Sequence, residues 1–113
     1  MAALTEQDLE VELHRIYEEC KTFNYYAMRF YQMITPGCQK YLGGVAAVRK
    51  LLDAPTTGLL RLIDEGRLDL AVEHLVLDPS WSHLFKSWDQ KKAQDNLRYA
   101  NALHRAKNKR VSK

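Results

Sequence analysis

Apolar residues in this chain recur every three or four positions, and no segment alternates convincingly in the way a half-buried strand requires. Leu9, Leu13, Ile16, Tyr17 and Cys20 fall on one stripe of a helix with about 3.6 residues per turn. Thr5 followed by Asp8 supplies a capping box ahead of that stripe. The polar, β-branched run Lys21-Thr22-Phe23-Asn24 breaks it, and a second helix with Ala27, Phe30, Tyr31 and Ile34 inward stops before Pro36-Gly37. Gly43-Gly44 opens a third helix through Val45, Val48, Leu51 and Leu52, which Ala54-Pro55 ends. A short fourth, Leu59 to Ile63, closes at Gly66, a left-handed cap. Asp69 is expected to cap a fifth helix running to Leu77. Asp78-Pro79 is expected to start a sixth with Trp81, Leu84, Phe85 and Trp88 on one stripe. Ser87 with Gln90 offers a last capping box, launching a long polar helix through Ala93, Leu97, Ala100 and Leu103.

The reading is an all-α fold, an irregular compact bundle of five to seven short-to-medium helices. Five Gly and three Pro leave few break points, which favours helices over a turn-rich β fold. At 113 residues the chain fits one domain. The expected division is a helical domain over 1–104 and a basic tail over 105–113 that frays. Leu9, Leu13, Ile16, Phe30, Val48, Leu52, Leu62, Leu75 and Leu97 are the expected core.

No stretch approaches the roughly 18 apolar residues that cross a bilayer, so no membrane association is expected. The acidic opening MAALTEQDLEVEL has neither the basic region nor the apolar run of a secretory signal. Two cysteines, Cys20 and Cys38, are too few for a disulfide framework in so small a domain, which points to the cytoplasm.

Charge is polarised along the chain. All fourteen acidic residues lie at or before Asp95, while residues 96–113 carry Arg98, Arg105, Lys107, Lys109, Arg110 and Lys113 and no carboxylate. The first helix is the opposite, with Glu6, Asp8, Glu10, Glu12, Glu18 and Glu19 against Arg15. A basic terminal helix can hold a phosphate backbone without reading sequence, so Arg98, Arg105, Lys107, Lys109 and Arg110 form a candidate nucleic-acid surface. Against this stands the plainer reading, a solvated helix whose charge complements the acidic first helix within the molecule or in a homodimer. No helix-turn-helix, zinc finger or aromatic ribonucleoprotein signature accompanies the charge.

The segments Ala27 to Met33, Gly43-Gly44-Val45 and Gly58-Leu59-Leu60, together with Asp78-Pro79 and Leu84-Phe85, resemble a group of small uncharacterised bacterial helical proteins. The most specific piece is Gly66-Arg67-Leu68-Asp69-Leu70, in a shared block that continues with Val72-Glu73 and Leu75-Val76-Leu77. The resemblance implies a helical bacterial protein and supplies no activity. Pro36 to Tyr41 and the basic extension after Leu97 depart from that group's pattern.

A hydrolytic or transfer site needs a nucleophile beside a base, or two carboxylates with separated pKa values. Asp64, Glu65, Asp69 and Glu73, with Arg67 among them, are the densest acidic group, and a structural reading accounts for it: Asp69 as a helix cap, Glu73 at the same helix end, and Arg67 paired with one of the acids across the turn. No catalytic residue is assigned, and an enzyme is not expected. His14, Cys20, Cys38, His74, His83 and His104 lack the close spacings of a structural zinc site, so no metal or cofactor is expected. Lys40-Tyr41-Leu42-Gly43-Gly44 precedes a helix start, where free N–H groups hold anions, but no P-loop or dinucleotide pattern follows.

The aromatics gather in two clusters, Phe23, Tyr25, Tyr26, Phe30 and Tyr31, and Trp81, Phe85 and Trp88. A helix has one buried face, so part of each cluster is left for an interface, where Tyr and Trp are common anchors. The expectation is therefore a non-enzymatic helical module that binds a protein partner through Tyr25, Tyr26, Trp81 and Trp88. The alternative is a small nucleic-acid-binding protein that uses the basic C-terminal helix.

Overall fold

A computed structural model describes residues 3–53 and 56–111; Ala54 and Pro55, where the sequence expects a helix break, fall outside that set, as do the side chains of 56–58 and 107–111. Six α-helices account for most of the described chain: α1 (Glu6–Lys21), α2 (Met28–Ile34), α3 (Gly44–Asp53), α4 (Thr56–Asp64), α5 (Val72–Leu77) and α6 (Ser87–Val111). Two short 3-10 turns, Leu68–Leu70 and Ser82–Leu84, lie before and after α5, and no strand occurs among the described residues. The fold is an all-α bundle.

The capping box at the start of α1 forms in both directions. The Asp8 amide donates to the Thr5 hydroxyl (3.2 Å), and the Thr5 amide donates to the Asp8 carboxylate (2.8 Å). The helix ends in a left-handed reversal at Asn24 (φ 64°), with the Tyr25 amide bonded to the Cys20 carbonyl and the Asn24 amide to that of Lys21. Asn tolerates this conformation better than other residues with a Cβ. The same pattern closes α4 at Gly66 (φ 71°), where the Arg67 amide reaches the Leu62 carbonyl (2.8 Å).

The core sits in two layers that share α3. On one side α3 packs against α1 and α2; on the other it meets α5 and α6, and α6 also covers α4. Leu9, Leu13, Ile34, Val48, Leu70 and Val76 are the largest fully buried side chains. Eight of the nine core residues expected from the sequence are buried, and Leu97 is partly buried against the cluster. Gly44 lets α3 press on α1: a Cβ there would meet Leu9 Cδ2 at 3.1 Å and the Glu6 carbonyl at 3.2 Å.

Three local expectations are corrected. Asp69 does not cap α5. It lies in the first 3-10 turn, and its carboxylate accepts from the Arg67 guanidinium (3.2 Å), so α5 begins after Ala71 with no side-chain cap. Asp78-Pro79 does not open an α-helix. The Asp78 carboxylate accepts from the Ser80 amide two residues on, which closes a turn that leads only to the 3-10 segment. The box expected at Ser87 and Gln90 is displaced: Asp89 accepts from the Lys86 amide (3.0 Å) just before α6. Helical backbone then continues through Val111, well beyond the 104/105 boundary suggested by composition.

Candidate functional site

The reversal at Asn24 turns the chain back beside α1, and α2 then leans on α1 and α3. The gap between α2 and α4 is a half-open cleft of about 860 Å³. Ile16 and Cys20 of α1 contribute to it. Ala27, Met28, Phe30 and Met33 come from α2 and its approach, Leu51 from α3, and Leu59 and Leu62 from α4. Leu70, Ala71, Val72 and Glu73 complete the lining, which is largely apolar. Its volume falls in the range of ordinary ligand and peptide-anchor pockets, about 300–1,000 Å³.

Eight large apolar side chains are exposed among the described residues. Met28 (53% exposed) and Leu42 line the cleft, while Tyr26 (56%) and Tyr41 directly adjoin lining residues in sequence. Two of the eight exposed apolar side chains thus belong to the cleft itself. Three cations share it: Arg29 from α2, Lys40 from the following loop and Lys50 from α3.

Of the four aromatic residues expected at an interface, Tyr26 and Trp88 (62% exposed) are open to solvent, while Tyr25 and Trp81 are half-buried against the core. Tyr25 lines the cleft and has structural duties as well. Its ring stacks beside Phe23 (6.4 Å between centroids), and the Arg61 guanidinium lies 5.2 Å from its centre. Burial pushes the Tyr25 phenol up from its ordinary range. The two clusters do not merge. Tyr25 and Tyr26 follow the C-terminal end of α1, whereas the turn after Trp81 reaches the other end, where His83 Nε2 donates to the Leu4 carbonyl (2.7 Å). The 16 residues of α1, about 24 Å of helix, lie between them.

The acidic group around Arg67 is structural. Arg67 pairs with Asp69 and with Glu19 of α1, and its guanidinium holds the Asp69 carboxyl below the usual range. Glu65 pairs with Arg61, and Asp64 lies 3.8 Å from His104. Glu73 is the exception, 2% exposed, with Asn96 Nδ2 donating to it at 3.2 Å. Burial raises its carboxyl above the ordinary range. The same Asn96 amide donates to the Leu52 carbonyl, so one side chain joins α3, α5 and α6.

The helix start after Gly43-Gly44 already holds an anion. Glu6 Oε1 accepts from the Val45 amide (3.1 Å), and the neighbouring Glu10 accepts from the Tyr41 hydroxyl. The other acids of α1 find partners at Thr5, Arg15, Lys21 and Arg67, none of them on α6. Histidines are similarly engaged: His14 Nδ1 donates to the Glu10 carbonyl and Nε2 meets the Thr35 hydroxyl (3.0 Å). Among the described residues no three His, Cys, Asp or Glu side chains converge to hold a metal ion, and no helix is long and apolar enough to cross a membrane. Cys20 is buried, Cys38 half-buried, and both are free thiols; burial raises the Cys20 pKa.

On α6, Arg98 lies near Asp95 (3.8 Å), and Arg105 donates to the Asn101 carbonyl. The side chains of Lys107, Lys109 and Arg110, and residue Lys113, lie outside the described residues. Sequence reasoning missed Met28, Leu42, Arg29 and Lys50. The available signal was that Met28 is apolar yet lies off the buried stripe of its helix.

No family model, curated protein or solved structure matches this chain, so its candidate site stands on its own geometry.

Proposed function

We propose that this protein is a non-enzymatic interaction module that docks a segment of a protein partner in the cleft between α2 and α4. One observation carries the reading: a largely apolar cleft that includes the exposed side chains of Met28 and Leu42 in its lining. Apolar surface gathered in this way is the usual mark of an interface, and a groove between helices accepts the apolar face of a helix. Two free thiols suit a reducing compartment such as the cytoplasm.

Nucleic-acid binding along α6 is the second reading. It is favoured by exposed Trp88 and Tyr99, eleven residues apart and therefore on the same face of the helix, with Arg98 beside them. It is weakened by the local pairing of Lys91 and Arg98 with Asp95, and of Lys92 with Asp53.

The test compares capture of host proteins by the wild type, by a Met28→Glu/Leu42→Glu variant, by Trp88→Ala and by a chain lacking residues 105–113. The cleft variant loses the captured partner while the other two keep it, with folding checked by circular dichroism. Loss of the partner only in the tail deletion, together with binding to mixed nucleic acid that falls steeply with salt, would favour the second reading.

A further inference from the structure

The docking reading leaves the chemistry of the partner open, and the rim of the cleft narrows it. Eight described basic side chains (Arg15, Lys21, Arg49, Arg61, Arg67, Lys91, Lys92 and Arg98) sit within ion-pair distance of a carboxylate. Arg29, Lys40, Lys50, Lys86 and Arg105 do not, and of these Arg29, Lys40 and Lys50 come together, all exposed at the cleft and none with a side-chain hydrogen bond among the described residues. The carboxylates of neighbouring elements are committed elsewhere. Glu6 holds the start of α3, Glu10 holds Tyr41, and Glu73 is buried against Asn96. Positive charge is thus concentrated, without internal neutralisation, over a low-dielectric apolar floor, the arrangement that focuses a field on an incoming anion.

We infer that the cleft takes an acidic amphipathic helix, with apolar side chains on the floor and carboxylates against Arg29, Lys40 and Lys50. This rests on the docking reading above. The lining favours a peptide over a nucleic acid, since its walls are mostly aliphatic (Met28, Leu42, Leu59 and Leu62) and give bases little to stack on. An amphipathic helix presents anchors at i, i+3, i+4 and i+7, with its charged flank free to meet a rim. Rim charges act mainly through steering and salt-sensitive attraction, so the preference is electrostatic in signature.

The experiment uses the full chain and three fluorescent helical probes that share one Leu-rich face and carry Glu, Gln or Lys on the other. Binding is read by anisotropy at low and at physiological salt, with the wild type and an Arg29→Ala/Lys40→Ala/Lys50→Ala variant. The Glu probe is expected to bind about tenfold or more tighter than the Lys probe at low salt, and to lose that lead with added salt. The triple variant, altered only at exposed positions, removes the lead while still binding the Gln probe. Equal binding of the Glu and Lys probes, or an undiminished lead in the triple variant, overturns the acidic partner and leaves docking intact. Failure of all three probes overturns docking itself. Displacement of the Glu probe from the cleft by a DNA oligonucleotide at lower concentration than by unlabelled probe overturns the choice of a protein ligand.

Discussion

The cleft beside α2 and the outer face of α6 are both exposed and both carry several cations, yet they treat charge in opposite ways. On α6, Lys91 and Arg98 flank Asp95, and Lys92 reaches Asp53 of α3, so described cations along much of the helix have a partner. At the cleft, Arg29, Lys40 and Lys50 have none among the described residues. Composition points to the C-terminal helix as the basic surface, because no acid follows Asp95. Folding changes which charges are spoken for, and the unneutralised cluster among the described residues lies in the first half of the chain. Net charge along a sequence is a poor guide to field where pairs form within a turn or across a packed interface.

Stability should separate the two faces most clearly. The cleft floor is also core, so Leu70→Ala should cost about 2–5 kcal/mol, whereas Trp88→Ala on the outer face of α6 should stay within about 0.5 kcal/mol. Urea midpoints of the two variants measure this, and equal shifts would mean that Trp88 is packed or that Leu70 is not.

A smaller effect is expected within the pairs. Asp89 is 3% exposed and accepts from both Arg49 Nε and the Lys86 amide at 3.0 Å. Asp89→Ala should destabilise by about 1–3 kcal/mol, mostly through loss of the buried acceptor because Arg49 is partly solvated. The exposed Asp53–Lys92 pair should contribute less than about 1 kcal/mol, and Asp53→Asn measures it.

Glu73 is where the two regions meet, since it lines the cleft and bonds to Asn96 of α6. Burial raises its carboxyl, so the folded protein keeps that proton to higher pH than the unfolded chain, whose value is near 4.5. The resulting stabilisation is complete below that value and fades as pH climbs through the folded one. Glu73→Gln should flatten this decline in thermal scans from pH 4.5 upward. An unchanged slope in the variant would place the titration elsewhere.

The smallest change is expected at the entry to the cleft. Asn24→Gly should leave stability within about 1 kcal/mol of the wild type, in the stabilising direction, because Gly meets no Cβ penalty at positive φ. A clear loss would show that the Asn side chain contributes more than its tolerance of the turn.

Local signals were legible in the sequence, and distant ones were not. The Thr5/Asp8 box, the Gly66 reversal and the periodic stripes of α1 and α3 each depend on residues within a few positions, and each is found. The errors arise where another residue competes for the same atom. Asp69 reads as a cap until Arg67 claims its carboxylate, and Asp78 spends its side chain on the Ser80 amide. Asp89 gave no sign of burial because its partner Arg49 stands forty positions away. The cleft was the least legible feature, being assembled from α1 to α5 with no motif of its own. Lys40 to Gly44 reads in the sequence as a turn before a helix start, and only the fold places Lys40 at the rim of an apolar site.

The Glu6 carboxylate on the Val45 amide has a consequence for competition. A helix N-terminus that would otherwise attract dissolved phosphate or sulfate is met first by a ligand on the same chain, held in place by the packing of α1 on α3. Tethering of this kind gives the carboxylate an effective concentration on the order of millimolar or more, and micromolar anions cannot displace it by mass action. The molecule therefore supplies its own competitor at that position, and a free anion meets the Val45 amide only when the Glu6 side chain swings away from it.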